Sequence, residues 1–384
     1  MNTFERLKIE GFRRFLSAEV EIRPLTVIIG ANGVGKSSFL EIFSLLAASA
    51  NGQLQSKISE LGGLNEMLTL ERAGSLSISL SMPMENQETL NYSLELATKG
   101  SFYEIDSETL GQQHNLDTSQ PLKYIESRGL EVKYFSPEDG RLLRPNWQHN
   151  PYETSLAQVP KMYQEPETLR QHLASCSFYK AWELNLARQS PIRLPQSMRP
   201  ATLPGSKGED LVSCLYYLRE TDPNRFEIIE NTLAAVFPEF KRLSFPPVAA
   251  GTLAMTWKDR NFFHPFYMHQ LSEGRLRFLW LITLLQSRDL TAVTLIDQPE
   301  VSLHPELLQQ LAHAMREASQ RTQLIVATHS DRLIRFLEPK EVLVCDYENG
   351  LTTLTWADSM NLEHWLKDYS LDQLWAMNII GGRS

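Results

Sequence analysis

Residues 25–38, LTVIIGANGVGKSS, decide the fold of this chain. The run Leu25–Ile29 is uncharged and rich in Val and Ile, which predicts a buried strand. The segment from Gly30 to Ser37 fits the phosphate-binding loop G-x-x-x-x-G-K-[ST]. Apolar residues between Phe39 and Leu46 then predict a buried helix. A glycine-rich turn could match by chance, but the strand–loop–helix order is the context that the motif requires.

The chemistry of this loop suits a polyphosphate. Glycines let successive backbone N–H groups turn inward around an anion, and the N-terminus of the following helix adds partial positive charge. We expect Lys36 to reach the β- and γ-phosphates of a nucleotide and the Ser37 hydroxyl to ligate Mg²⁺. The candidate nucleotide-binding residues of the loop are Gly30, Ala31, Asn32, Gly33, Val34, Gly35, Lys36, Ser37 and Ser38.

The composition is that of a globular chain with room for two domains, or for one domain with an insertion. It has 384 residues, 42% of them hydrophobic, and a net charge of −9. This charge means that any contact with DNA must come from a local basic patch. Cys176, Cys214 and Cys345 form no C-x-x-C pair, which indicates neither zinc nor a disulfide framework and fits a reducing cytosol. No apolar run reaches the length of a membrane span, and the N-terminus does not resemble a secretory signal.

The N-terminal region predicts a mostly antiparallel sheet beside the phosphate loop. Residues 4–12 read as a strand and residues 18–22 as its hairpin partner. Arg13, between them, could face a nucleotide base or phosphate; the alternative is a polar hairpin tip. Residues 75–82 and 90–95 alternate and predict further antiparallel strands. A glutamine that senses Mg²⁺ could follow the first helix, and the candidates are Gln53, Gln55 and Gln87.

The middle of the chain has a different texture. Prolines recur between Pro137 and Pro204, which predicts an inserted subdomain with long loops and one helix over 167–188. This segment carries the most plausible basic face, although a scattered solvated surface explains the same residues. The members of that face are Lys161, Arg170, Arg188, Arg193 and Arg199.

From Leu271 onward helices and strands alternate, which predicts a parallel sheet wrapped by helices. The strand that ends in Asp297 places a carboxylate where a second Mg²⁺ ligand is wanted, although such a residue is often only a helix cap. His329 follows the next strand and falls where a γ-phosphate contact is needed. Ser272 and Gly274 open a helix and offer a hydroxyl and N–H groups to an anion, beside plain N-capping.

Taken together, GANGVGKS, LSEGR, TLIDQPEVSLHP and ATHS resemble the ABC-type ATPase head, in the subset that includes RecF, the structural-maintenance-of-chromosomes (SMC) heads and the ATPase half of OLD-type nucleases. The resemblance implies an α/β P-loop NTPase fold, with an antiparallel N-terminal sheet, a parallel core sheet flanked by helices, and a helical and loop insertion. It implies ATP and Mg²⁺ as cofactors. It also implies that Ser272 and Gly274 act in trans on the nucleotide of a second subunit, with Ser302 to His304 at the same seam. His329 resembles the switch histidine.

One residue departs from the family pattern. The resemblance implies Asp-Glu-Pro-Glu, with the first Glu polarising the attacking water, but this chain has Gln298 at that position. An amide can hold a water by hydrogen bonds but cannot accept its proton. Gln298 is therefore either an engineered trap for the ATP-bound state or a native residue of a slow ATPase.

The sequence predicts three parts: an N-terminal lobe of the head over 1–136, an inserted, mostly helical subdomain over 137–240, and a C-terminal lobe over 241–384. We expect a cytoplasmic ATPase without membrane contact and without a fused nuclease, which dimerises on ATP and switches an effector nuclease or toxin in phage defence. The alternative is a RecF- or SMC-like ATPase that binds DNA in repair or chromosome maintenance. A transporter ATPase subunit is disfavoured by the long insertion.

Overall fold

The fold is described here from a computed structural model, which describes residues 3–84, 88–100, 102–114, 122–160 and 163–381. Contacts divide the chain into two compact units. Unit one comprises Met1–Ser177, Pro339–His364 and Asn378–Ser384, and unit two comprises Phe178–Glu338 and Trp365–Met377. The division into two units does not test the three parts expected from the sequence, and these remain a prediction.

The helices of the described residues begin with the predicted helix after the phosphate loop. In chain order they are α1 Lys36–Ala50, α2 Leu54–Glu60, α3 Leu64–Met67, α4 Ser155–Gln158, α5 Gln164–Ala174, α6 Leu211–Thr221, α7 Pro223–Val236, α8 Glu273–Gln286, α9 Leu307–Ala318, α10 Asp331–Ile334 and α11 Leu371–Ala376. None of them has the length and apolar character that a membrane span needs.

The strands fall into sheets of different size. In chain order they are β1 Arg6–Phe12, β2 Phe15–Glu21, β3 Leu25–Ile29, β4 Ser75–Pro83, β5 Glu88–Lys99, β6 Phe102–His114, β7 Leu122–Arg128, β8 Glu131–Ser136, β9 Arg141–Leu143, β10 Cys176–Lys180, β11 Gln196–Ser197, β12 Phe240–Ser244, β13 Pro247–Ala249, β14 Thr252–Leu253, β15 Thr256–Asp259, β16 Phe266–Tyr267, β17 Val293–Asp297, β18 Gln323–Ala327, β19 Val342–Glu348 and β20 Leu351–Trp356.

Unit one contains an antiparallel sheet in the order β2-β1-β4-β5-β6-β7-β8-β9. Its strands form because apolar and polar residues alternate: in β4 every second residue, from Leu76 to Met82, is buried. The antiparallel N-terminal sheet expected from the sequence is thereby confirmed, with longer strands than the alternation alone marked out.

A second layer of unit one carries the phosphate loop. All five residues of β3 are buried, which explains why no charged residue interrupts the strand. β3 pairs with β19 in parallel, and β19 pairs with β20 antiparallel. The loop after β3 leads directly into α1, so the predicted strand–loop–helix order is confirmed.

Unit two follows the alternation predicted from Leu271 onward, because α8, β17, α9, β18 and α10 succeed one another. β17 and β18 pair in parallel and both are fully buried. Two three-stranded sheets, β11-β14-β13 and β12-β15-β16, complete the strands of this unit.

The helix predicted over 167–188 is wrong in its second half. α5 ends at Ala174, and β10 begins at Cys176. The chain changes from helix to strand at Ser175, whose backbone angles are not helical. Phe178 and Tyr179, which follow it, are aromatic residues that favour strands.

The predicted basic face does not form a free cationic surface. Arg193 is buried. Arg170 is held by Glu167 at 2.7 Å, and Arg199 pairs with Asp210. Arg188 is exposed, and Lys161 lies outside the described residues.

Candidate functional site

The phosphate loop of unit one has the backbone of an anion cradle. Gly33 and Gly35 have φ values of +76° and +115°, in the region that side chains disfavour. α1 begins at Lys36 with Gly35 as its N-cap, and no side chain among the described residues caps it there. Its first N–H groups are therefore directed at the loop, as polyphosphate binding requires.

The loop packs closely on a floor made by β19 and β20. A Cβ at Gly30 would lie 2.2 Å from the carbonyl oxygen of Cys345, so only glycine fits. The Val34 carbonyl accepts hydrogen bonds from the Thr352 hydroxyl and, at 3.6 Å, from the Cys345 thiol. The spacing of residues around the motif gave no signal for this floor.

Lys36 and Ser37 are the first two residues of α1, directly after the glycine-rich loop. The Lys36 side chain is buried, and its Nζ donates to the carbonyls of Gly30 at 2.7 Å and Ala31 at 2.6 Å. The ammonium is therefore held against the first two residues of the loop. Ser37 is exposed at the start of α1.

Arg13 occupies the turn between β1 and β2 with φ of +49°. Its guanidinium lies 2.7 Å from the Glu41 carboxylate on α1 and 3.4 Å from the Ser38 hydroxyl. The predicted side chain is thus brought to the helix that follows the phosphate loop. Because it is half-buried and ion-paired, contact with a nucleotide would have to compete with Glu41.

The Gln53 and Gln55 candidates are exposed around the start of α2. The backbone N–H of Gln55 is bound by Glu153 at 3.2 Å, so this segment is capped by a carboxylate from the same unit. Gln87 lies outside the described residues.

In unit two, Asp297 ends β17 with its side chain buried. The half-exposed indole of Trp182 directs Nε1 at Asp297 Oδ2 over 3.5 Å. A carboxylate at the end of a strand is the kind of oxygen ligand that Mg²⁺ takes in proteins. Trp182 could not be linked to Asp297 from sequence, because 115 residues separate them.

Gln298 has φ of +53°, an uncommon conformation for a residue with a side chain. Its backbone N–H donates to the Ala327 carbonyl at 2.8 Å, which fixes the turn after β17 against the end of β18. The side chain is partly exposed, as a residue that holds a water molecule must be.

Glu300 connects this turn to the segment after β18. Its Oε1 accepts a hydrogen bond from the backbone N–H of His329 at 2.9 Å. Burial raises the pKa of the Glu300 carboxyl above its usual range, and the bond from His329 opposes that rise only in part. The His329 ring is exposed while its backbone is held by Glu300.

Ser272 and Gly274 open α8. Ser272 is the N-cap and its hydroxyl accepts from the Arg275 N–H at 3.4 Å, so the capping role weighed from the sequence is present. A Cβ at Gly274 would lie 3.1 Å from the Ser302 carbonyl oxygen. Unit two therefore brings LSEGR and the Ser302 turn together, and glycine permits this approach.

Arg193 was placed on a surface by its residue type, but it is buried against the turn before Ser272. Its Nε donates to the Leu186 carbonyl at 2.6 Å, and its Nη1 donates to the Leu271 carbonyl at 2.8 Å. The same nitrogen lies 3.4 and 3.3 Å from the carbonyls of Met268 and His269. A guanidinium thus holds the turn from which α8 starts.

Comparison with solved structures shows the fold of the chain. One similar structure is an SMC head bound to the C-winged helix domain of ScpA, with 13% identity, a TM-score of 0.57, and coverage of 92% of this chain and 97% of that one. Another is an SMC head domain with an extended coiled coil from Pyrococcus furiosus, bound to the C-terminal domain of ScpA, with 11% identity, a TM-score of 0.54, and coverage of 96% and 100%. The predicted α/β fold of an ABC-type ATPase head is confirmed.

The family is also defined. A family described as "AAA domain, putative AbiEii toxin, Type IV TA system" matches residues 25–335, and the chain belongs to that family of AAA ATPases. No curated protein matches the chain.

Proposed function

We propose that this chain is a nucleotide-controlled switch. It binds ATP with Mg²⁺, hydrolyses it slowly, and closes into a homodimer that acts on an effector nuclease or toxin in phage defence. The observation that carries the proposal is the phosphate loop: Lys36, the glycine conformations and the uncapped start of α1 surround one anion-binding concavity.

Each predicted site residue has a role in this proposal. Lys36 contacts the β- and γ-phosphates, and Ser37 and Asp297 ligate Mg²⁺, which would neutralise phosphate charge. Ser272 and Gly274 present the N-terminus of α8 to the nucleotide of a second subunit. His329 contacts the γ-phosphate, and Gln298 orients a water without accepting its proton. Arg13 borders the nucleotide.

Closure depends on the γ-phosphate because it alone contributes contacts to both subunits. ADP lacks it and therefore favours the closed dimer less. The family description, which names a putative toxin, supports an effector module over a transporter. The two similar SMC heads are each bound to a domain of ScpA, which is a precedent for a head of this fold that binds another protein.

The direct test is MgATP binding and turnover by the purified chain and by Lys36→Ala. We expect binding about 10- to 100-fold weaker in the variant, because charge-assisted hydrogen bonds to phosphate are lost. Lys8→Ala, a surface pair with Glu10, is the matched control. A wild-type chain that binds no MgATP would refute the proposal.

The biological part is tested in cells. Cells that carry the gene with its neighbouring reading frames should survive phage infection, and cells that carry Lys36→Ala in the same setting should not. Equal plaque counts for wild type, Lys36→Ala and empty vector would remove the defence role and leave the ATPase.

A second candidate function, a DNA-binding ATPase, is favoured by one face of the β12-β15-β16 sheet. Arg242 and Lys258 are directly opposite across the strands, and the Lys258 ammonium donates to the carbonyls of Phe262 and, at 2.7 Å, of Phe263. Tyr267 pairs with Thr256 and shares this face, since Thr256 and Lys258 are two residues apart. The adjoining hairpin exposes Phe262 and Phe263, the latter 90% exposed. Cations beside exposed rings suit a single strand of nucleic acid.

The discriminating measurement is binding of labelled single-stranded DNA at several salt concentrations. Arg242→Gln should weaken binding and flatten its salt dependence, because one phosphate contact is lost. Arg6→Gln in unit one is the control. Absence of salt-sensitive binding in wild type would eliminate this candidate.

A further inference from the structure

We propose that Thr352 is a positioning residue for the phosphate loop, one that sets the direction of a backbone N–H toward the bound polyphosphate. The inference rests on the proposed nucleotide binding and names a residue that the loop motif does not contain. All of its contacts lie within unit one.

The key contact is at the Val34 carbonyl, inside the loop. The Thr352 hydroxyl donates to this oxygen, and the Cys345 thiol donates to it from 3.6 Å. Both donors are buried. Burial raises the pKa of Cys345 to about 12, so the thiol keeps its proton near neutral pH and remains a donor.

Because this hydrogen bond orients the peptide plane between Val34 and Gly35, it also sets the direction of the Gly35 N–H. The described backbone has no cis peptide bonds, so the Val34 carbonyl and the Gly35 N–H point in opposite directions. With the carbonyl held toward β20, the Gly35 N–H points away from β20. The φ of +115° at Gly35 then carries the chain into α1, whose first N–H groups complete the cradle.

Thr352 is itself fixed and closely fitted. Its N–H donates to the Arg14 carbonyl at 2.9 Å, so the β1–β2 turn locates it. A Cβ at Gly35 would lie 3.2 Å from the Thr352 hydroxyl oxygen and 3.3 Å from the ring of Phe15. The hydroxyl therefore lies against the loop at Gly35, where a Cβ would be crowded by both Thr352 and Phe15.

The experiment compares MgATP and MgADP affinity in wild type, Thr352→Val and Thr352→Ser. Valine keeps the shape and removes the donor, whereas serine keeps the donor. We expect affinity for both nucleotides to fall about tenfold in Thr352→Val, because a buried carbonyl loses a partner, and to return to within about threefold of wild type in Thr352→Ser. Thr353→Val, at the neighbouring exposed position, is the matched control and should match wild type.

The midpoint of thermal unfolding without nucleotide separates positioning from general stability. A Thr352→Val chain that unfolds close to the wild-type temperature and binds nucleotide tenfold more weakly supports the inference. A folded Thr352→Val chain with wild-type affinity overturns it. If Thr352→Val does not fold, Thr352→Ala removes the same hydroxyl: weaker binding that Thr352→Ser does not show supports the inference, and unchanged binding in the folded Thr352→Ala chain overturns it. A wild-type chain that binds neither nucleotide refutes the proposed function as well. If wild type binds nucleotide and Thr352→Val binds it equally well, only the inference about Thr352 fails.

Discussion

The carboxylate of Glu300 accepts a hydrogen bond from the backbone N–H of His329 at 2.9 Å. This bond joins the turn that follows β17 to the segment that follows β18. The bond therefore links the turn that carries Gln298 to the segment that carries His329, and both residues have proposed roles near the γ-phosphate. We therefore expect a substitution in one of these segments to shift the backbone of the other.

The substitution Glu300→Gln tests whether the folded state raises the pKa of this carboxyl. Burial raises the pKa of Glu300 above its ordinary value of 4.5, so the folded state disfavours its ionised form. Stability that depends on the protonated carboxyl is fully present below the unfolded pKa and is lost as the pH rises through the folded pKa. Glutamine keeps an acceptor for His329 and cannot ionise. The free energy of unfolding of Glu300→Gln, relative to wild type, should therefore increase between pH 4 and pH 7.

Urea unfolding at both pH values measures this difference, with exposed Glu60→Gln as the control. If Glu300→Gln differs from wild type by the same free energy of unfolding at pH 4 and at pH 7, the pKa of Glu300 is not raised by burial.

Gln298→Glu should raise ATP turnover. The amide can orient a water but cannot take its proton, and a general base in that position typically contributes about 10²–10⁴ in rate. Steady-state phosphate release with saturating MgATP measures the change, while MgATP affinity should stay close to that of wild type. Equal turnover in the two forms would rule out a role for this position in activating water, whether Gln298 is native or introduced.

Arg193→Lys should loosen the turn that precedes Ser272. Lysine keeps the charge but cannot reach the carbonyls of Leu186 and Leu271 together. Loss of buried hydrogen bonds of this kind costs about 1–3 kcal/mol. We expect ATP-dependent dimerisation to weaken while MgATP binding to the monomer is kept. Arg199→Lys, at an exposed ion pair, is the control. Dimerisation as in wild type, in a folded Arg193→Lys, would mean that this turn does not matter for closure.

The sequence predicted the segments whose burial is uniform or strictly alternating. β3 has the predicted bounds, Leu25–Ile29, because every residue in it is apolar or small and buried. β10 was missed because its residues are mostly half-buried and directly follow a helix, so neither periodicity appears. A local pattern also cannot reveal that an arginine is buried, and Arg193 was therefore assigned to the surface.

The loop motif predicted the residues of the cradle but not those that support it. Thr352 lies 318 residues from Val34 in the chain, and Trp182 lies 115 residues from Asp297. Such contacts depend on the tertiary fold, and the spacing of motif residues carries no record of them. The roles of Ser272, His329 and Gln298 themselves remain predictions.

The central claim is that triphosphate closes two copies of this chain through Ser272. Substitutions that preserve the helix cap can test it, because Asp and Asn both cap helices but only Asp places a negative charge at the phosphate. Analytical ultracentrifugation with MgATP and with MgADP should show a dimer with MgATP for wild type and Ser272→Asn, and a monomer for Ser272→Asp and for every form with MgADP. Equal dimerisation by Ser272→Asp and Ser272→Asn, or a wild-type chain that stays monomeric with saturating MgATP, would contradict the claim.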